Sequence, residues 1–345
     1  MNPITQSSVS TALTPQRPPT FLLHLDKEAT LVEDADEEIF SLYANLATDG
    51  QQDVTKKSGL GFVSSSEATY HVEFTLQPVN NEPAPDVTRL KAGGAVAHSA
   101  RRNRSRKAAG RQQDMADKTI AVDISQDLAS LRNRKGDTGS VIWRSSLFLA
   151  KQILQLYHFP NTAAPPFLTF DKAASSRVLE LGAGTGVLGI LLHELFASWT
   201  ATDQYDNLKL ISRNVKHNGE PKNMQIEEVD WVDLHKEKVQ ADKKHAGSQH
   251  AARTRFLAEE YDLIMAVDCI YNEALIPPFV SALEHYTIKG KTIVMVVCEL
   301  RSADVMTVFL EEWIGRGGWT IYRLSDTALG QELKYSFVAW VAWKS

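Results

Sequence analysis

Cysteine is nearly absent from this chain of 345 residues: there are two, Cys269 and Cys298, each inside an apolar segment. Two such thiols build no disulfide framework and suit a reducing compartment. The ten histidines are scattered, so no Cys/His cluster stands at the spacing structural zinc needs, and no metal is expected. Long apolar runs are missing too. No segment approaches the roughly 18 consecutive apolar residues of a membrane-spanning helix. Residues 1–20, rich in Ser, Thr, Pro and Gln, lack the positive start and apolar centre of a signal peptide and read as a disordered tail. A basic surplus is also absent: the formal net charge is −5, the wrong sign for a general nucleic-acid binder. One local exception is the basic run from Arg101 to Arg111. It has no apolar period and no interleaved aromatics, which favours a solvated insertion, with a nuclear address or an RNA-touching patch left open. A monomer free of membrane is expected, cytoplasmic with the nucleus as the alternative.

What is present is material for a sizeable core, 43% hydrophobic residues, and one informative motif. Residues 177–189 read R-V-L-E-L-G-A-G-T-G-V-L-G: an apolar strand, an acid, a glycine turn and the start of an apolar helix. Gly182, Gly184 and Gly186 let the backbone turn sharply and approach a ligand that a Cβ would obstruct. Residues 184–189 also fit the dinucleotide pattern G-x-G-x-x-G, so the glycines alone leave a nicotinamide or flavin open. Glu180 tips the balance, because an acid two residues before the first glycine suits the cationic amino acid end of S-adenosylmethionine better than a pyrophosphate. Asp203, closing the β-prone segment 198–202, can accept from ribose hydroxyls, a need common to both cofactors, or can cap the following helix.

Around this motif the pattern alternates. Strands are expected at 176–181, 199–202, 224–229, 263–267 and 292–297, with helices at 187–196, 208–218, 275–286 and 303–314, the series of a parallel sheet covered on both faces. The chain then closes on two β-rich stretches, 319–324 and 335–343, joined by a loop without a helix. An antiparallel hairpin at the sheet edge satisfies that spacing. Residues 138–345 thus form the main α/β domain, interrupted by a polar insertion at 236–255. Residues 21–137 form an N-terminal extension with a small β region, a strand at 70–76 and another at 120–124, separated by a polar and basic insertion at 77–117. An amphipathic helix at 145–157 leads into the main domain.

Four motifs in order, T-G-S-V-I-W (138–143), E-L-G-A-G-T-G (180–186), D-W (230–231) and D-C-I-Y (268–271), carry a resemblance. The chain resembles the class I, seven-β-strand protein lysine methyltransferases with an Asp-x-x-Tyr motif, and among them it is most similar to the fungal ribosomal-protein lysine methyltransferases. The likeness runs from about residue 59 to the C-terminus outside the two polar insertions. It implies a Rossmann-like seven-stranded sheet with a C-terminal antiparallel hairpin, S-adenosyl-L-methionine as cofactor, and a ribosomal protein as substrate. Cofactor contacts are implied for Trp143, Glu180, Gly182, Ala183, Gly184, Gly186, Asp203, Asp230, Trp231 and Val267. Asp268 and Tyr271 are the implied catalytic pair at the end of the fourth main-domain strand. Asp268 would orient the incoming ammonium, and Tyr271 would offer an aromatic wall and a hydroxyl. Glu299 and Arg301 lie on the same edge, either shaping the way in for substrate or pairing with each other. No metal is needed for displacement at a sulfonium methyl. The competing readings are a methyltransferase for RNA or a small molecule, a NAD-dependent oxidoreductase, and a cofactor-binding module without catalysis. The first is disfavoured because D-C-I-Y lacks the paired prolines common in RNA base methylation, the second by the terminal hairpin.

Overall fold

The computed structural model describes residues 17–48, 61–64, 66–78, 116–133, 138–161, 165–245, 256, 259–330, 333 and 336–345. The expected tail up to residue 16, the basic run from Arg101 to Arg111 and residues 246–255 of the second insertion lie outside them.

Ten strands are described: β1 (Thr30–Leu31), β2 (Thr69–Leu76), β3 (Lys118–Ser125), β4 (Arg177–Leu181), β5 (Ser198–Asp203), β6 (Met224–Glu228), β7 (Leu263–Val267), β8 (Ile293–Glu299), β9 (Trp319–Arg323) and β10 (Phe337–Lys344). Eight form one sheet in the order β1-β9-β10-β8-β7-β4-β5-β6, in which β4 to β8 run parallel. Every residue of β7 and β8 is buried, as continuous apolar strands covered by helices on both faces must be. The strand order reverses beside β4, with β5 on one side and β7 on the other, so a crevice opens above their carboxyl ends.

The closing pair is antiparallel, as expected, but β10 lies inside, between β8 and β9. Composition explains the choice: F-V-A-W-V-A-W-K is apolar throughout and takes the position covered on both faces, whereas W-T-I-Y-R is half-buried and lies outside it. The connecting loop was expected to lack a helix; it contains a one-turn helix, Asp326–Leu329, capped by the Ser325 hydroxyl, which accepts from the Ala328 N–H at 3.1 Å. Beyond β9, β1 adds an eighth strand.

The N-terminal extension is built onto this frame. In the helix Ala35–Thr48, buried Glu38 accepts from Trp340 Nε1 at 2.9 Å and from Arg323 at 3.0 Å, pinning the helix across β9 and β10. Strands β2 and β3 pair antiparallel along their whole length. Their buried Val72, Phe74, Leu76 and Ile124 join the same core as the helix Arg144–His158. From the helix Tyr205–His217, Asn214 accepts from the Ser125 N–H at 2.8 Å and donates to the Ser125 and Thr185 carbonyls, so one amide joins the small sheet to the glycine loop.

The first part of the polar insertion expected at 236–255 continues a helix, Trp231–His245. It is tied to the neighbouring helix Ile276–Tyr286 by polar contacts, His235 Nδ1 to Ser281 Oγ at 2.7 Å and Lys238 to Glu284 at 3.3 Å. Such contacts leave little apolar periodicity in the sequence. In Ile276–Tyr286, Pro277 and Pro278 occupy the first turn, where their missing N–H groups cost nothing.

Candidate active site

Above the carboxyl ends of β4, β5 and β7 lies a cavity of about 320 Å³. Its floor is the glycine turn. Gly182, Gly184 and Gly186 have φ of +70°, +57° and +78°, and the turn is locked by Ala183 N–H to Thr202 O at 2.9 Å and Gly186 N–H to Ala183 O at 2.8 Å. A Cβ on Gly182 would lie 2.9 Å from Cys269 Sγ and 3.1 Å from Trp231 Cζ2. On Gly184 it would meet the Gly139 carbonyl at 3.0 Å. Neighbouring protein atoms already occupy the space a Cβ would take, so glycine is required for the backbone to form this floor.

Most of the residues implied for the cofactor line this cavity: Trp143, Gly182, Ala183, Gly184, Asp203, Asp230, Trp231 and Val267. Asp203 accepts from the Gly184 N–H, the Gln204 N–H and Asn207 Nδ2, each at 2.8 Å, so it holds the glycine turn as well as facing the cavity. Asp230 Oδ1 accepts from the Val232 and Asp233 N–H groups at 2.8 and 3.1 Å and caps the helix that begins at Trp231. Trp231 packs on Phe279 with ring centroids 4.9 Å apart. Its indole N–H is buried and has no partner among the described residues. A glycine floor and two carboxylates that accept hydrogen bonds fit a nucleoside, whose ribose hydroxyls and exocyclic amine donate.

Two implied residues do not line the cavity. Gly186 instead starts the helix Val187–Leu192 in the left-handed conformation. The other is Glu180, expected to meet the amino acid end of the cofactor; its carboxylate is buried and accepts from Trp199 Nε1 at 2.8 Å and from the Gly189 amide. Glu180 pairs with Ala201 and Val178 with Trp199 in the parallel register, so Trp199 is a diagonal neighbour on the face Glu180 must occupy. Burial pushes its pKa up to about 8, aided by the charge of Asp203 and opposed by the Trp199 hydrogen bond. Because the folded chain keeps a proton that the unfolded chain releases near 4.5, stability is fully present below that value and falls as pH rises towards about 8. Glu180→Gln, which keeps the acceptor and removes the titration, should flatten this fall. Thermal denaturation at pH 5 and pH 8 is expected to show a smaller difference in Tm than in the unaltered chain, by a few degrees.

Asp268 and Tyr271 stand at the end of β7 and line the same cavity, with Tyr271 37% exposed at its mouth. Asp268 is buried and adopts φ +62°, a left-handed conformation that Asp tolerates better than most residues. Its carboxylate is already engaged. Arg301 reaches it through both terminal nitrogens, at 3.0 and 2.5 Å, and Ser145 Oγ donates at 2.9 Å. Glu299, buried beside it, takes Arg301 at 2.9 Å and also Arg144. The Arg301 guanidinium lies over the Trp143 ring, 4.7 Å from its centroid. Burial works against the charge of Arg301, yet Asp268 and then Glu299 outweigh it and hold the guanidinium more firmly protonated than usual. Of the two alternatives left for Glu299 and Arg301, pairing is observed, with a buried Glu299 carboxylate, a part-exposed guanidinium and a link to Asp268.

Sequence reading passed over Arg144 and Ser145 as partners and over Asn207. The signal for Asn207 was its spacing of four residues from Asp203 on a helical run. Nothing local signalled the other two.

The sequence profile of the lysine methyltransferase family matches residues 123–313. The chain belongs to that family. This methyltransferase is 33% identical over 200 residues to the protein N-lysine methyltransferase METTL21A of Danio rerio, covering 55% of this chain and 72% of that one. It is 26% identical over 336 residues to ribosomal lysine N-methyltransferase 5 of Saccharomyces cerevisiae, covering 77% and 87%. A third relative, a diaminohydroxyphosphoribosylamino-pyrimidine deaminase of Schizosaccharomyces pombe, is 28% identical over 192 residues, and the chain spans 41% of its length. The cofactor of the methyltransferase is S-adenosyl-L-methionine. Among the described residues, no helix is long and apolar enough to cross a membrane.

Proposed function

We propose that this methyltransferase modifies the side-chain amine of a lysine in a ribosomal protein, acting in the cytoplasm. The observation that carries the reading is the meeting, in one cavity, of the glycine cradle with an aromatic hydroxyl at the mouth and a buried carboxylate behind it. The yeast relative, aligned along most of both chains, supports the substrate class.

When bound, S-adenosylmethionine supplies a methyl carbon made electrophilic by the adjoining sulfonium. The chain's residues bind and align. Gly182, Ala183 and Gly184 give the floor, Asp203 accepts from ribose hydroxyls, Asp230 and Trp231 flank the adenine, and Trp143 and Val267 complete the lining. Tyr271 forms the aromatic side of the channel through which a lysine arrives. A free lysine has a pKa near 10.4, so only about one in a few thousand is neutral at pH 7, and the site must present the uncharged amine. Asp268 does not offer an open carboxylate for that task. Its bonds to Arg301 and Ser145 make it the anchor that shapes the channel wall.

The test is to incubate the purified chain with methyl-labelled S-adenosylmethionine and total ribosomal protein, then locate the label by mass spectrometry. Label on a lysine side-chain nitrogen is expected. Label found only in RNA carried with the ribosomal fraction refutes the reading.

A further inference from the structure

The four charged groups behind the mouth of the cavity are more than a wall. Side-chain exposure is 1% for Asp268, 6% for Glu299, 17% for Arg144 and 28% for Arg301. They come from the helix Arg144–His158, the end of β7 and the end of β8, and the N-terminal extension packs against them. Gly61, at φ +97°, packs so closely that a Cβ would overlap the Arg301 guanidinium and Glu299. Its carbonyl accepts from the Arg144 N–H at 3.0 Å, and Phe62 lies edge-on to Trp143 at 6.2 Å. Two guanidinium groups therefore balance two buried carboxylates, with the Arg301 guanidinium part-exposed.

We propose that Arg301 is a positioning residue that neutralises Asp268, so that a substrate lysine reaching this cavity is held as the uncharged amine. The inference rests on the lysine methyltransferase reading of the same cavity. Consider the alternative. An unpaired buried carboxylate would attract an ammonium and hold its proton, since an opposite charge within about 4–6 Å favours the charged form by 1–3 pH units. With Asp268 paired, an arriving ammonium adds one uncompensated positive charge to a balanced cluster whose carboxylates are buried. Its cheapest response is to lose a proton to solvent at the mouth. The neutral nitrogen then forms the new N–C bond as the C–S bond breaks, the bonding pair leaves on sulfur, and the positive charge passes to the methylated nitrogen.

The other groups facing Asp268 do not upset the balance. The Cys269 and Cys298 thiols are pushed well above the ordinary thiol range, by burial first and nearby carboxylates second, and stay uncharged. Ser145 donates a neutral hydroxyl, and Tyr271 stands three residues further along at the mouth.

Two substitutions of opposite sign test this. Arg301→Gln leaves an excess negative charge and Glu299→Gln an excess positive one. With total ribosomal protein as acceptor, the acid limb of the kcat profile should move up by about 1 pH unit or more in Arg301→Gln, lowering kcat at pH 7 about tenfold, and should move down in Glu299→Gln. A second readout needs no turnover. In calorimetry, Arg301→Gln should bind cationic S-adenosylmethionine more tightly relative to neutral S-adenosylhomocysteine, by about threefold or more, and Glu299→Gln should shift that ratio the other way. Shifts in the same direction, or none, overturn the inference. If one variant does not fold, the sign of the other decides. Label on RNA instead of lysine would remove the functional reading, while the binding ratio would still judge the charge balance.

Discussion

Gly182→Val is expected to weaken S-adenosylhomocysteine binding by at least about 100-fold. Two effects coincide at this position. A β-branched residue at φ +70° is a steric outlier, and its Cβ would sit 2.9 Å from Cys269 Sγ and 3.1 Å from the Trp231 ring. Neither neighbour has room to retreat: Cys269 is buried and donates to the Leu181 carbonyl at 3.3 Å, and Trp231 is backed by Phe279. The loop must move into the cavity or push Trp231 across it. Gly219 supplies the control, since it has φ +94° but no atom within 4 Å of its would-be Cβ. Gly219→Ala should cost about 1 kcal/mol of stability from backbone strain and leave binding intact. Calorimetry and thermal denaturation on both variants separate a blocked cradle from general damage.

Asp268→Ala should cost both stability and turnover. Removing the carboxylate leaves Arg301 with Glu299 and the Trp143 ring, and because this guanidinium is part-exposed the loss should be below the roughly 3–5 kcal/mol of a fully buried broken pair, about 2 kcal/mol. Alanine is also poorly suited to φ +62°. Asp268→Asn should cost less, because Asn tolerates that conformation and its carbonyl oxygen can still accept from Arg301. For turnover the loss in Asp268→Ala should exceed about 100-fold, since the channel wall and the charge balance go together. Tm and kcat for both variants, with cofactor affinity measured alongside, check this; an Asp268→Ala chain with unchanged Tm would show that the pair is not structural.

The parts of this molecule legible in the sequence are those fixed by local chemistry. β7 was bounded at residues 263 and 267 because five apolar residues stand between charged or polar neighbours. The helix start at Ile276 followed from the two prolines, and the cavity floor from three glycines in five residues. What was not legible depended on register or on distance along the chain. Glu180 faces Trp199 only because β4 and β5 pair in one particular parallel register. Ser145 and Arg144 meet Asp268 and Glu299 across 123 and 155 residues, so the charge network is invisible until the helix Arg144–His158 crosses the strand ends. The eighth strand is two residues long, below any periodic signal.

The central claim is that the cavity above β4 and β7 seats an adenosyl methyl donor and not a dinucleotide. Titration calorimetry of the unaltered chain with S-adenosylhomocysteine and, separately, NADH tests it most directly. Saturable one-to-one heat from S-adenosylhomocysteine and none from NADH is the predicted result; heat from NADH with none from S-adenosylhomocysteine would contradict it.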